Sequence, residues 1–246
     1  MTRLHLILGY DGRPFSGWQS QPVKNGIQDH LEKAFSTILG KRVVVHGSGR
    51  TDAGVHACGQ SAHADVPADH LATDRWRAAL NAHLPPEIRV KQIRVVSEKF
   101  HARFSAKSKQ YRYRIFNESW LDPLEIGRAW HVPGALDVTA MNEVAIILTG
   151  RHDFRAFAAN RGKPEETTIR DVWKIALRKQ GPVITLTFEG EGFLYKMVRM
   201  LAAILVRAGQ GKISTGEIRR LLTDPSAKKS SHTAPAEGLY LVGVGY

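Results

Sequence analysis

The sequence predicts an α+β protein built from two ferredoxin-like (βαββαβ) halves. Short segments with a two-residue apolar period alternate with segments whose apolar residues recur every three or four positions. In order they spell strand, helix, strand, strand, helix, strand, and then the same order again from different residues. No low-complexity linker separates the two, which argues for one fused body over two loosely tethered domains. The halves are expected at 1–104 and 105–246. Their sheets would lie side by side as one mainly antiparallel mixed sheet, with a central, positively charged cleft across the join.

In the first half, Leu4, Leu6 and Leu8 alternate with His5 and Ile7, as in a strand. Tyr10 to Trp18 follows as a loop rich in turn residues and aromatics. Asn25 with Gln28 three residues on reads as a capping box. Ile27, Leu31, Ala34, Phe35 and Ile38 then keep helical spacing until Gly40 ends the helix. The run Val43-Val44-Val45 and the stretch Gln60 to Val66 read as strands on either side of a glycine-rich loop. Thr73 can cap a second helix with Trp76, Leu80 and Leu84 turned inward, stopped by Pro85-Pro86. Ile88 to Val96 closes the half as a strand.

The second half repeats the order. Tyr111 to Phe116 is a strand, and Val138, Met141, Ala145 and Leu148 mark a helix. Ile169 to Leu177 and Val183 to Glu189 are strands joined by Lys179-Gln180-Gly181-Pro182, a strong turn signal. A mostly apolar helix spans Leu194 to Ala208, and a short one lies between Thr215 and Thr223. After a polar segment holding Pro225 and Pro235, Leu239 to Val244 makes a further strand.

The charge balance points to the class of partner. Lys and Arg number 35 against 23 Asp and Glu, a net charge of +12. Such an excess suits a polyanion, nucleic acid first and an anionic membrane second. Cys58 is the sole cysteine, so no intrachain disulfide forms, and a small buried hydrophobe is the expected role for it. Arg3 is followed by only a short apolar run, which is not a signal-peptide pattern, and the strongly apolar Met200 to Val206 is far shorter than a membrane span. The simple expectation is a soluble cytoplasmic protein.

The chemistry is concentrated in Gly47-Ser48-Gly49-Arg50-Thr51-Asp52-Ala53-Gly54-Val55-His56. Its three glycines permit sharp turns and a close approach to a ligand, and they place one carboxylate, Asp52, on a loop between strands. Spacing alone allows a plain strand-to-strand turn in which Asp52 caps a backbone amide. Lys99 to Arg114 holds six Lys or Arg and no acid, interleaved with Phe100, Phe104, Tyr111 and Tyr113. Cations for phosphates with aromatic faces for bases suit looped or single-stranded RNA. The alternative is a strand whose Tyr111, Tyr113 and Ile115 face a core while Arg112 and Arg114 face solvent. Arg199 has Tyr195, Ala202, Ala203 and Val206 as helical neighbours, so it is expected to be partly buried, its guanidinium either meeting an anion, a phosphate or Asp52, or reaching water while its stem packs.

Other classes fit poorly. No helical histidine pair with glutamate and no Cys-x-x-Cys is present, and Gly49-Arg50-Thr51 lacks the ending of a phosphate-binding P-loop. His46, His56 and His63 are close to Asp52 in sequence, and ordinary polar contacts are expected of them.

Gly-Arg-Thr-Asp-Ala-Gly-Val-His at 49–56, with Gly59-Gln60, is similar to the active-site motif of the tRNA pseudouridine synthase A family. Five ordered motifs agree. They are Tyr10-Asp11-Gly12 through Gly17-Trp18-Gln19-Ser20-Gln21-Pro22, Phe100 to Ala106 leading to Tyr111-Arg112-Tyr113, His152-Asp153-Phe154, Gly192 to Arg199, and Thr233 to Ala236 with Gly238 to Leu241. Two departures stand outside the proposed chemistry: Met200-Leu201-Ala202-Ala203 lacks a glycine usual after Met-Val-Arg, and Gly26 replaces a common Thr. The resemblance implies the pseudouridine synthase fold and the conversion of uridine to pseudouridine in the tRNA anticodon arm, around positions 38–40. It further implies a homodimer that uses no cofactor and no metal. Asp52 would be the catalytic nucleophile. Tyr111 would contact the flipped base and serve in removing the C5 proton, Arg50 would hold the extruded nucleotide, and Arg199 would pair with Asp52.

Overall fold

The computed structural model describes residues 1–68, 71–160, 162, 167–224, 226 and 230–246. Pro225 of the polar segment lies outside them. Two compact units are present: Met1–Lys107 together with Tyr240–Tyr246, and Ser108–Leu239.

The first unit contains β1 (Thr2–Tyr10), α1 (Ile27–Leu39), β2 (Val45–Gly47), β3 (His56–Val66), α2 (Thr73–His83) and β4 (Ile88–Val96). β1 pairs antiparallel with both β3 and β4, and β2 pairs antiparallel with β3. The resulting order β4-β1-β3-β2 is that of the ferredoxin-like unit. Register sorts the side chains onto two faces. Leu4, Leu6 and Leu8, opposite Ala64, Ala62 and Gln60, are buried. Ile27, Leu31, Phe35, Trp76 and Leu80 of the helices are buried as well, with the Phe35 and Trp76 rings 5.5 Å apart. The alternate residues Arg3, His5, Ser61, His63 and Asp65 share the other, polar face.

Capping of α1 differs from the expected Asn25–Gln28 pair. Gly26 is the N-cap, and its N–H donates to Asp29 Oδ2 at 2.9 Å. The Asn25 amide instead donates to Pro14 O, and Gln28 accepts from Gln19. Thr73 begins α2 without capping it; Ala72 is the N-cap.

The second unit contains β5 (Ser108–Phe116), β6 (Trp130–His131), α3 (Val138–Leu148), β7 (Gly150–Asp153), β8 (Ile169–Gln180), β9 (Val183–Gly190), α4 (Met197–Gly209) and α5 (Thr215–Thr223). β9 lies antiparallel between β5 and β8, β7 pairs antiparallel with β8, and β6 runs parallel to β5. Tyr113 and Ile115 face Leu186 and Ile184 in a dry core with Met141, Val144 and Leu148 of α3. Asp137 caps α3 by accepting from the N–H groups of Thr139 and Ala140, and Ser214 with Glu217 forms a capping box on α5. α4 starts three residues later than expected because Lys196 is left-handed, φ 58°. No described helix is long and apolar enough to cross a membrane.

β10 (Leu239–Gly245) pairs in parallel with β3 through Tyr240–His56 and Leu241–Ala57. That partner, together with Tyr10 of β1 opposite Ala57, carries β3 back to His56 from the expected start at Gln60. Gly59 makes the contact possible, since a Cβ there would sit 2.3 Å from Val242 O. From Tyr240 onward, residues that element order assigns to the second half are part of the first unit. Cys58, expected to be buried, is only half-buried on this strand.

Candidate active site

Asp52 sits in the loop between β2 and β3, and a set of hydrogen bonds fixes that loop. Val55 N–H donates to Asp52 O at 3.1 Å, closing a turn whose third residue, Gly54, has φ 78°. Trp18 N–H donates to Thr51 O at 3.0 Å. Beneath the loop, the buried Tyr10 hydroxyl lies 2.8 Å from Thr51 Oγ1, while the Gln60 amide donates to Gly49 O at 2.9 Å and to Tyr10 Oη at 3.4 Å. Ser48 donates to Gln60 Oε1 at 3.2 Å, completing the network. Burial pushes the Tyr10 hydroxyl up to about 12, so it remains a protonated partner of Thr51.

The loop is also clamped sterically. A Cβ on Gly17, φ 91°, would lie 2.5 Å from Thr51 O and 3.0 Å from Asp52 C. One on Gly12 would lie 2.1 Å from Val55 O, and Trp18 covers Gly47 closely enough to exclude a side chain. Thr51 and Val55 are buried, whereas Asp52 between them is half-exposed. Arg50 projects outward, its Nε donating to Gln19 Oε1 at 3.1 Å. Sequence reasoning missed Tyr10, Gly12, Gly17 and Gln60 as supports of the loop, although each falls in a segment of turn residues or beside the motif.

In the second unit, three motif segments converge. Tyr111 is 9% exposed and meets Phe193 edge-on at 5.3 Å. The Tyr113 hydroxyl donates to Pro235 O at 2.8 Å, and Gly238 packs against the Tyr113 ring so tightly that a Cβ would lie 2.6 Å away. Arg199 Nε donates to Ala234 O at 2.8 Å, and Ala234 N–H returns a bond to Arg199 O at 3.2 Å. Tyr111, Tyr113 and Ile115 do face the core, while Arg114 pairs with Glu125 at 2.8 Å. Of the four candidate stacking rings, only Phe104 is largely exposed.

Comparison with known proteins places the whole chain. The family model for tRNA pseudouridine synthase matches residues 7–105 and 144–246. A tRNA pseudouridine synthase A of Akkermansia muciniphila is 46% identical, covering 100% of this chain and 96% of the relative. Those of Brevibacillus brevis and Bacillus subtilis are 42% and 41% identical, covering 100% and 99% of each chain respectively. The chain belongs to the tRNA pseudouridine synthase family. Members of this family are isomerases that turn uridine into pseudouridine in tRNA.

The histidines close to Asp52 in sequence, His46, His56 and His63, fall into two separate sets of contacts. His56 stacks on Tyr240 at 4.6 Å, and its Nδ1 accepts from Gly12 N–H at 3.2 Å. His46 and His63 stack at 5.0 Å, with His101 4.6 Å from His63. Among the described residues, no three His, Cys, Asp or Glu side chains form a group fit to hold a metal ion. Burial, then the neighbouring His101, His46 and Arg3, pull His63 down to about 4. The neutral form is also the one whose Nδ1 accepts from Ala102 N–H, at 3.1 Å.

A depressed histidine stabilises the fold above its unfolded value and loses that contribution as pH falls through its folded value. Stability is therefore expected to be full above pH about 6.5 and to drop toward pH about 4, by on the order of 2 kcal/mol from this group. Denaturant unfolding across that range should show the fall, and His63→Gln should flatten it. An equally steep profile in the variant would exclude His63 as its source.

Proposed function

We propose that this synthase acts on uridines around positions 38–40 of the tRNA anticodon arm, with Asp52 as nucleophile. The observation that carries the reading is the loop itself: a half-exposed carboxylate whose backbone is locked by Tyr10, Gln60, Trp18 and Gly17. Isomerisation breaks C1′–N1 and joins C1′ to C5; the C5 proton leaves and N1 ends protonated. The detached uracil must turn without escaping, and a carboxylate that forms a covalent intermediate suits that need. The uridine must first leave its stack.

Arg50, on the exposed side of the same loop, holds the phosphate of the extruded nucleotide in this proposal. Tyr111 receives the face of the base and assists removal of the C5 proton. Arg199 is the cation that favours the ionised carboxylate, as the family resemblance implies. The motif resemblance further supports a cytoplasmic homodimer that requires no metal or organic cofactor, with residues 1–104 supplying the nucleophile loop and residues 105–246 the rest of the RNA-binding surface. Net charge +12 supports a polyanionic substrate.

The test uses tRNA transcripts labelled with tritium at C5 of uridine. Release is expected from a transcript with uridines at 38–40 and not from one in which those positions are cytidine. Equal release from both would move the target elsewhere in the tRNA.

A further inference from the structure

The polar face of the first unit's sheet is capped at one corner by residues 97–105, and this turn is held from several directions. The Arg3 guanidinium donates to the carbonyls of Glu98 and Phe100, the latter at 2.8 Å, while gripping Asp65 at 2.7 Å. Ala102 N–H donates to His63, and the Tyr246 hydroxyl donates to Ala102 O at 2.8 Å. His101 N–H donates to Ser105 Oγ and Ser105 N–H to His101 O, closing the turn on itself. Phe100 folds inward between His5 and Tyr246, with centroids 4.7 and 4.8 Å away.

Phe104 does the opposite. It is 76% exposed, and its inner side rests on His101 at 4.4 Å, which in turn lies 4.6 Å from His63 and 5.5 Å from His46. The Arg103 guanidinium lies 5.5 Å from the Phe104 centroid. A single exposed apolar ring is ordinary. This one is set on a braced turn, so little ordering remains to be done when something binds it. Its neighbours in the chain are cationic, Lys99, Arg103 and Lys107, with no acid from Lys99 to Arg114. An apolar protein surface would bury those charges unpaired. A nucleobase offers a flat face to the ring, and its phosphate offers an anion to the cations.

We propose that Phe104, backed by His101 and flanked by Arg103, is a stacking platform for one unpaired base of the bound tRNA, outside the Asp52 loop. It rests on the tRNA-acting reading above. The test titrates a fluorescently labelled anticodon-arm stem-loop with the full chain and with Phe104→Ala, Phe104→Tyr and Phe104→Trp at one fixed salt concentration. Loss of a stacked base is expected to raise Kd about tenfold or more in Phe104→Ala, while Tyr and Trp stay within about threefold. The exposed position makes the alanine variant a folded protein, which its melting temperature checks.

An unchanged Kd in Phe104→Ala overturns the platform, as does an equal loss in all three variants. A changed sedimentation coefficient of Phe104→Ala without RNA would assign the ring to contact with a second copy, and also overturns it. Tritium release by wild type, measured in parallel, separates the two readings. If it is absent while the Kd pattern holds, the isomerase target fails and the platform stands. If wild type binds no stem-loop, the platform fails too.

Discussion

Asp52→Asn is expected to release no measurable tritium from C5-labelled tRNA, a loss of at least about 10⁴-fold, because removing a nucleophile removes the step it performs. The amide is nearly isosteric and the side chain is half-exposed, so melting should shift little. Binding should stay within about threefold of wild type, since removing a negative charge from a basic surface does not weaken contacts to phosphates. Asp52→Glu is an equally sharp test. It keeps the charge but moves the carboxyl outward by one methylene, on a loop whose backbone is pinned at Thr51, Asp52 and Gly49. A misplacement of that size is expected to cost on the order of 10²-fold or more in kcat. Substantial release by Asp52→Asn would rule out a nucleophilic role, and the loop would then be a binding element.

Gly17→Ala should be the most damaging change that touches no reacting group. At φ 91° an alanine is strained by about 1–2 kcal/mol, and its Cβ would meet Thr51 O at 2.5 Å and the backbone of Asp52 and Ala53 at 3.0 Å. Both partners are main chain, so one of the two loops must move. The expected result is a fall of roughly 10²-fold in kcat through displacement of Asp52, together with a lower melting temperature. Gly40→Ala separates strain from displacement: Gly40 is also left-handed, φ 66°, but has nothing within 4 Å of its would-be Cβ. It should destabilise by about 1 kcal/mol and keep its activity. If the two variants lose activity alike, the clamp between Gly17 and the Asp52 loop is not what positions the carboxylate.

Most elements were legible because their signals are local. Leu4, Leu6 and Leu8 alternate because one face of β1 is dry, and Ile27, Leu31 and Phe35 recur because one stripe of α1 is. What escaped reading depends on partners far along the chain. β3 begins at His56 because Tyr240 and Leu241 pair there from one side and Tyr10 from the other. β6 and β7 are two and four residues long and exist by pairing alone. Asn25 looked like a cap, yet Pro14 O draws its amide away and Asp29 takes the Gly26 N–H. The candidate site divides in the same way. The glycines around Asp52 announce a sharp loop, but nothing in the spacing of Tyr10, Gly17 and Gln60 tells that all three bear on it. The histidines show the limit from the other side: His46 and His56 are ten residues apart, but it is His46 and His63 that stack, with His101 edge-on to His63.

The pairing of β10 with β3 has a consequence for synthesis. Residues 108–239 form their unit from one continuous stretch, whereas the first unit needs residues 1–107 and then 240–246, and the Tyr246 hydroxyl reaches Ser61, 185 positions earlier. On the ribosome the second unit therefore has its whole chain in hand before the first does. Until residues 240–246 emerge, the edge of β3 at His56 and Ala57 and the face of His56 that Tyr240 covers wait without them. The Asp52 loop, made early in translation, belongs to the unit that is completed last.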